Sequence, residues 1–202
     1  MENFPADSQT YQDLKIIETN ANNAKKIVEN LLGFARITEG LEDEIDVVAS
    51  IVTVVSIIKN TLFTKKIELI TEITDGLPHV RGDVREFQQV IFNLINNSVA
   101  ALKAVDNPKV IISSHTESGM VSINVSDNGE GISNKIKPRL FDPFFTTKQS
   151  GEGTGLGLSL CYGIIKKLGG KISFRITSKE DFPNQTSGTV FTVSLPIINN
   201  EI

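Results

Sequence analysis

Asn93 and Asn97 stand four residues apart in Phe92-Asn-Leu-Ile-Asn-Asn-Ser98. Asparagine forms helix poorly, yet this spacing brings two carboxamides onto one helical face, opposite the apolar stripe, where they can converge on a single ligand. An amide oxygen ligates Mg²⁺ without adding net charge beside a phosphate, although two solvated positions on an amphipathic helix have the same pattern. Asp127-Asn-Gly-Glu-Gly-Ile132 offers a different chemistry. Its carboxylate can accept a hydrogen bond from an exocyclic amine, while Gly129 and Gly131 let the backbone approach a flat ligand. A simple turn reads the same way, and an EF-hand is excluded because Gly129 occupies the third ligand position. Gly151-Glu-Gly-Thr-Gly-Leu-Gly-Leu-Ser159 opens directly into a Leu-rich helix, so backbone N–H groups and the positive end of a helix dipole face an anion, most naturally phosphate. It is neither a P-loop, since no Gly-Lys-[ST] follows, nor a G-x-G-x-x-G turn; a flexible linker is its alternative. In Phe141-Asp-Pro-Phe-Phe-Thr-Thr-Lys148, aromatic residues that can pin a loop to a core precede a lysine able to reach a terminal phosphate as a point charge.

These stretches need elements to hold them. Asp83 and Glu86 predict a capping box that opens a helix over Phe87–Leu102, and the two asparagines ride on it. Alternation predicts strands over Lys66–Thr74, 109–116 and 120–126, with Ser118-Gly119 as a hairpin turn. Asp127 follows the last of these. Ser133–Gly153 has little periodicity, and a helix over 158–168, a Gly169-Gly170 stop and strands over 171–177 and 188–195 come after it. The run 47–63 is too apolar for periodicity to decide, and its length favours helix over the strand that its β-branched residues suggest. Upstream, Leu14, Ile17, Ala21, Ala24, Val28, Leu31 and Ala35 trace one heptad-like stripe, which must pack on a partner helix or another copy. Gly40 and the acidic run Glu42–Asp46 predict a domain boundary, giving 1–41 and 42–202.

Composition narrows the function further. Lys+Arg 20 against Asp+Glu 24 leaves a net charge of -4, so the chain lacks the one-sided positive field of a nucleic-acid or anionic-membrane binder. The single cysteine, Cys161, forms no internal disulfide, and the N-terminus has no basic n-region or apolar h-region. A reduced, cytoplasmic chain is expected, and a membrane-anchored parent protein is compatible with that. The stretch Val47–Ile58 is expected to be too short and too rich in hydroxyls to span a bilayer. Sequons at Asn96, Asn124 and Asn184 carry no weight without a secretory signal.

In order and spacing, residues 45–196 resemble the catalytic ATP-binding domain of sensor histidine kinases, in the GHKL superfamily with gyrase, the MutL repair proteins and the ninety-kilodalton heat-shock chaperones. Gln89–Ala101 resembles the N box, Asp127–Ile132 the first glycine box, Phe141–Lys148 the F box, Gly153–Ser159 the second glycine box, and Gly188–Pro196 the closing strand. The resemblance implies an α+β fold of the Bergerat type, a two-layer sandwich with helices on one face of a mixed sheet, here preceded by an amphipathic helix. It implies ATP and Mg²⁺ as ligands beneath a movable lid. Asp127 would accept from adenine N6, with Thr189 assisting through a water, and Gly129, Gly131, Ile132 and Phe141 would help to frame the nucleotide. Asn97 would hold Mg²⁺ with Asn93 beside it, while Gly153, Thr154, Gly155, Leu156, Gly157 and Leu158 form the turn facing the phosphates. Lys148 would neutralise charge on the transferring group. The sequence departs from the pattern at Ser98, usually alanine, and at Ala100, where several members carry a basic residue.

In the ATP-hydrolysing relatives a glutamate stands at the position of Asn93 and activates water; an amide cannot take that proton. Transfer to a neutral imidazole needs less base assistance, because its ring nitrogen already carries a lone pair. The family's acceptor motif, a histidine followed by an acidic residue and a proline, is absent. His79 and His115 read as structural or exposed, whereas Leu14–Arg36 resembles the second helix of the dimerising hairpin. The acceptor histidine is therefore expected on a helix outside this chain, in a homodimer that passes phosphate to a response-regulator receiver domain. A non-catalytic, nucleotide-responsive interaction module and an ATPase switch of the gyrase kind are the alternatives; a serine kinase of the anti-sigma kind should lack the 14–35 helix.

Overall fold

The computed structural model describes residues 5, 8–18, 21, 43–148, 153–177, 181–182 and 187–198. Residues 9–18 are helical (α1), with Ile16 and Ile17 about 60% exposed and Leu14 half-buried. The rest of the expected apolar stripe, save Ala21, lies outside the described residues, as do residues 40–42 of the expected boundary.

Glu44–Ile45 (β1) leads into α2, Val47–Thr64, whose N-cap Asp46 accepts from the backbone N–H of Ala49 at 2.8 Å. Length wins over β propensity here because Val47, Ile51, Val54, Ile58 and Leu62 fall on one buried face. The helix is longer than the apolar run suggested. At 18 residues and a mean hydropathy of 1.8 it is long and apolar enough to cross a membrane by composition, which corrects the expectation of too short a stretch. Its buried stripe belongs to the same apolar cluster as Phe87 and Val90 of the next long helix, so it reads as a core helix.

Glu68–Glu72 (β2) and the short Val80–Arg81 (β3, antiparallel to β1) precede α3, Val84–Ala101. That helix begins three residues before the expected start, because Asp83 Oδ1 takes the N–H groups of both Arg85 and Glu86 at 2.7 and 3.0 Å. Only half of the expected capping box forms: the Glu86 carboxylate is engaged by Lys167 instead. Lys109–Glu117 (β4) and Met120–Asp127 (β5) form the expected hairpin, with positive φ at Ser118 and Gly119. After a short 3-10 turn at Lys137–Arg139 come α4, Gly157–Lys167, and strands Lys171–Ile176 (β6) and Thr189–Pro196 (β7).

The strands order as β2-β4-β5-β7-β6, with only the β2/β4 pair parallel. Val110, Ile112, Val121, Ile123, Val125, Val193 and Leu195 point to one face and share a core with α2, α3 and α4. The other face carries hydroxyls and amides bonded to one another: Ser122 to Ser194 at 2.8 Å, and Thr192 to Asn124 at 2.8 Å. This is the two-layer, mixed-sheet sandwich that the motifs imply. Asp127 ends β5 opposite Thr189 at the start of β7, and the pleat turns both toward the helical layer.

Candidate functional site

Between α3, the ends of β5 and β7, and the segments on either side of residues 149–152 lies a cavity of about 630 Å³. Asn93 and Asn97 line it from α3, Asp127, Thr189 and Phe191 from the sheet, Gly131 and Ile132 from the turn after β5, and Lys148, Gly153, Thr154, Gly155, Gly157 and Leu158 from the remaining side. Four stretches scattered over some hundred residues of sequence thus share one wall.

Asp127 is 2% exposed. Its Oδ1 accepts from the N–H of Gly129 at 3.0 Å and of Thr189 at 3.3 Å, and its Oδ2 accepts from the Ser98 hydroxyl at 3.0 Å. Desolvation by burial raises the carboxyl above its ordinary range, while these three donors pull the other way. A buried carboxylate with a second lone pair on Oδ2 still open suits an amine donor on a flat ring. Ser98, a departure from the family pattern, is therefore used, since its hydroxyl orients the acceptor.

Asn93 and Asn97 lie on the flank of the α3 apolar stripe rather than opposite it, and both are half-buried. The Asn97 amide nitrogen is buried without a partner, an uncommon condition for a buried donor. With its nitrogen unpaired, this carboxamide can turn about its terminal torsion to present nitrogen or oxygen to a ligand. Among the described residues no cluster of His, Cys, Asp or Glu could hold a metal. The donor set thus fits Mg²⁺ held by one protein oxygen, phosphate oxygens and waters, which is how that ion is commonly bound.

The glycines differ in purpose. Gly155 has φ +68, and a Cβ there would run into the backbone of Phe144. A Cβ on Gly153 would sit 3.0 Å from both Lys148 Cδ and Thr146 Oγ1, so Lys148 is held beside the turn. The N-cap position of α4, Leu156, makes no side-chain cap bond, leaving the first N–H groups of the helix for an anion.

Three expected residues are off the wall. Gly129 is a close approach, since a Cβ would meet Ala101 Cβ and carbonyl oxygen at 2.9 Å. Phe141 stacks on Tyr162 and Phe174, with ring centroids 5.6 and 6.1 Å away, and so pins its loop. Leu156 is 1% exposed. The wall also includes Asn96, Lys103, Phe145, Thr146 and Thr147, which the sequence reading did not single out. Lys103 lies in the turn past Leu102, the C-cap of α3, so no helical face pointed to it. Neither His79, paired with Glu44 at 3.1 Å, nor the exposed His115 lines the cavity.

The family model described as histidine kinase-, DNA gyrase B-, and HSP90-like ATPase matches residues 82–199, more than half of the chain. The chain belongs to this ATPase family. Within it, the chain carries the ATP-binding catalytic domain of sensor histidine kinases, and its relatives are named accordingly. It is 33% identical to the sensor kinase CckA of Brucella abortus (strain 2308), covering 98% of this chain and 22% of that protein. It is 30% identical to the sensor histidine kinase ZraS of Escherichia coli (strain K12), covering 97% of this chain and 40% of that protein. This histidine-kinase domain thus spans less than half the length of those curated relatives. Among solved structures, the nucleotide-free catalytic domain of the histidine kinase ThkA superposes with a TM-score of 0.65 at 31% identity, covering 77% of this chain and 95% of that one. ThkA in complex with the response regulator TrrA gives 0.72 at 25% identity, over 96% of this chain and 53% of that one.

Proposed function

We propose that this domain binds MgATP and transfers its γ-phosphoryl group to a histidine supplied from outside the chain, for relay to a response-regulator receiver domain. The observation that carries this reading is Asn93. It stands on the cavity wall with its carboxamide carbon 3.9 Å from where a Cβ on Gly157 would be, at the phosphate-facing end of α4, and it cannot deprotonate water there.

Asp127 accepts the adenine amine, and the Thr189 hydroxyl lies beside it. The α4 amides and the Gly153–Gly157 turn receive the phosphates, and Asn97 would hold Mg²⁺, an ion that would offset phosphate charge. Lys148 offsets the charge on the transferring group. The imidazole lone pair attacks the γ-phosphorus, the bond from that phosphorus to the bridging oxygen breaks, ADP leaves, and the second ring nitrogen sheds its proton. Residues 1–41 form part of a dimerisation helix, residues 42–202 form the catalytic unit, and both act in the cytoplasm.

Incubation with ATP labelled at the γ position and a separately supplied acceptor helix should label that helix. Nucleotide binding without transfer would overturn the kinase reading. The absence of both histidines from the cavity favours one rival, a nucleotide-responsive docking module. It predicts partner association that depends on MgATP, and it fails if Asn97→Ala abolishes MgATP binding while association proves indifferent to nucleotide throughout.

A further inference from the structure

Helices α3 and α4 run antiparallel and touch at three levels. At the cavity end Asn93 faces Gly157, midway the Cys161 thiol donates to the Val90 carbonyl at 3.8 Å, and at the far end Lys167 Nζ donates to both carboxylate oxygens of Glu86 at 3.0 Å. The ion pair is largely enclosed, with the two side chains 11% and 23% exposed. It lies in the last turn of α4 and the first turn of α3, where the helix dipoles favour a cation and an anion respectively.

The phosphate-facing turn has no capping side chain of its own, so its usefulness rests on where α4 sits along α3. Val90 and Leu94 of α3 and Leu160, Cys161 and Ile164 of α4 are buried in the same apolar cluster, and apolar packing is non-directional, so it resists separation more than axial slip. A two-oxygen ammonium–carboxylate contact is directional. It acts over about 15 Å of rigid helix, ten residues at 1.5 Å each, from Lys167 to Gly157.

We infer that Glu86 and Lys167 are a positioning pair that sets α4 along α3 and so fixes the distance from its open N–H groups to the Asn93 and Asn97 carboxamides. This rests on the nucleotide reading above. The purine end, made by Asp127 and Thr189, belongs to β5 and β7 and is not governed by the pair. Phosphate recognition and nucleoside recognition therefore separate.

The test titrates MgATP and adenosine against the whole chain. In Lys167→Met and Glu86→Gln, MgATP affinity falls by about tenfold, the scale of one charge-assisted hydrogen bond, while adenosine affinity stays within about twofold. Lys167→Arg retains the parent ratio of the two affinities, and the charge-exchanged double variant Glu86→Lys with Lys167→Glu restores most of it. An unchanged ratio in both single variants overturns the inference, whether the affinities hold or fall together. Where a single variant does not fold, the exchanged and Lys167→Arg proteins decide, and loss of the ratio in both overturns it. Failure of the parent chain to bind either ligand instead overturns the nucleotide reading itself.

Discussion

Asp127 is held by three donors and starved of water, and its behaviour on substitution follows from that. In Asp127→Asn the remaining oxygen keeps the Gly129 and Thr189 N–H groups, and the new amide can donate to the Ser98 hydroxyl, so the fold survives. The group facing the purine becomes a donor. ATP affinity should fall by 10- to 100-fold, the cost of opposing two donors in a buried site, while a 6-oxo purine nucleotide gains; competitive titration of the two measures it. The pH dependence has two signs. Because the folded carboxyl is raised above 3.8, the folded chain keeps a proton that the unfolded chain has lost within that window, so this group's share of stability declines as pH rises through it. ATP recognition requires the ionised form, so affinity is full above the raised value and declines as pH falls through it. Melting and titration series against pH, compared with Asp127→Asn, separate the two. At Asn93, substitution by glutamate places a base beside the phosphates, and steady phosphate release should rise by about a hundredfold. At this scale the sequence singled out Asp127, Asn93 and Asn97, which meet on one cavity wall, but not the service of Ser98, whose hydroxyl finds its acceptor only when β5 is laid beside α3. Gly129 and Phe141 belong to the same motifs, yet their side-chain space is spent on packing.

Helices and strands were legible wherever one face is buried against the rest, as in α3, β4 and β5. What the sequence could not show was tertiary competition for side chains. Glu86 satisfies the local capping pattern, yet a lysine far along the chain takes its carboxylate, and the asparagines sit on the flank of their stripe because α4 packs there. The second glycine-rich turn gives the clearest test at this scale. In Gly155→Ala the residue must keep φ +68, at a cost of roughly 1–2 kcal/mol, and its methyl group must displace the Phe144 backbone. The turn should rebuild, with MgATP affinity down by about an order of magnitude and melting lowered by a few degrees, whereas Gly157→Ala, whose nearest contact is 3.9 Å away, should melt close to the parent. Calorimetry on both variants checks the contrast.

For the molecule as a whole, nucleotide and stability are linked. A ligand bound only by the folded state at a hundred times its Kd adds about 2.7 kcal/mol, and a domain of this size gains roughly 2–4 °C per kcal/mol. Saturating MgATP should therefore raise Tm by about 5–10 °C, and chelation of the metal with ATP still present should remove much of that gain; differential scanning fluorimetry reads both. The overall architecture was legible because the five motifs fix the order in which strands and helices meet the ligand. The parallel β2/β4 pairing was not, since alternation marks a strand without naming its neighbour, and the β1/β3 ribbon was not, since two-residue strands have too little pattern to register. That ribbon has a mechanical meaning. β1 pairs with β3, Val80 bridges to Ile197, and Ile198 donates to the His79 carbonyl, so the path into the domain and the path out are stitched together at one corner. A pull arriving at Glu44 would be carried by this ribbon into the end of β7 farthest from Thr189, and so away from the cavity wall.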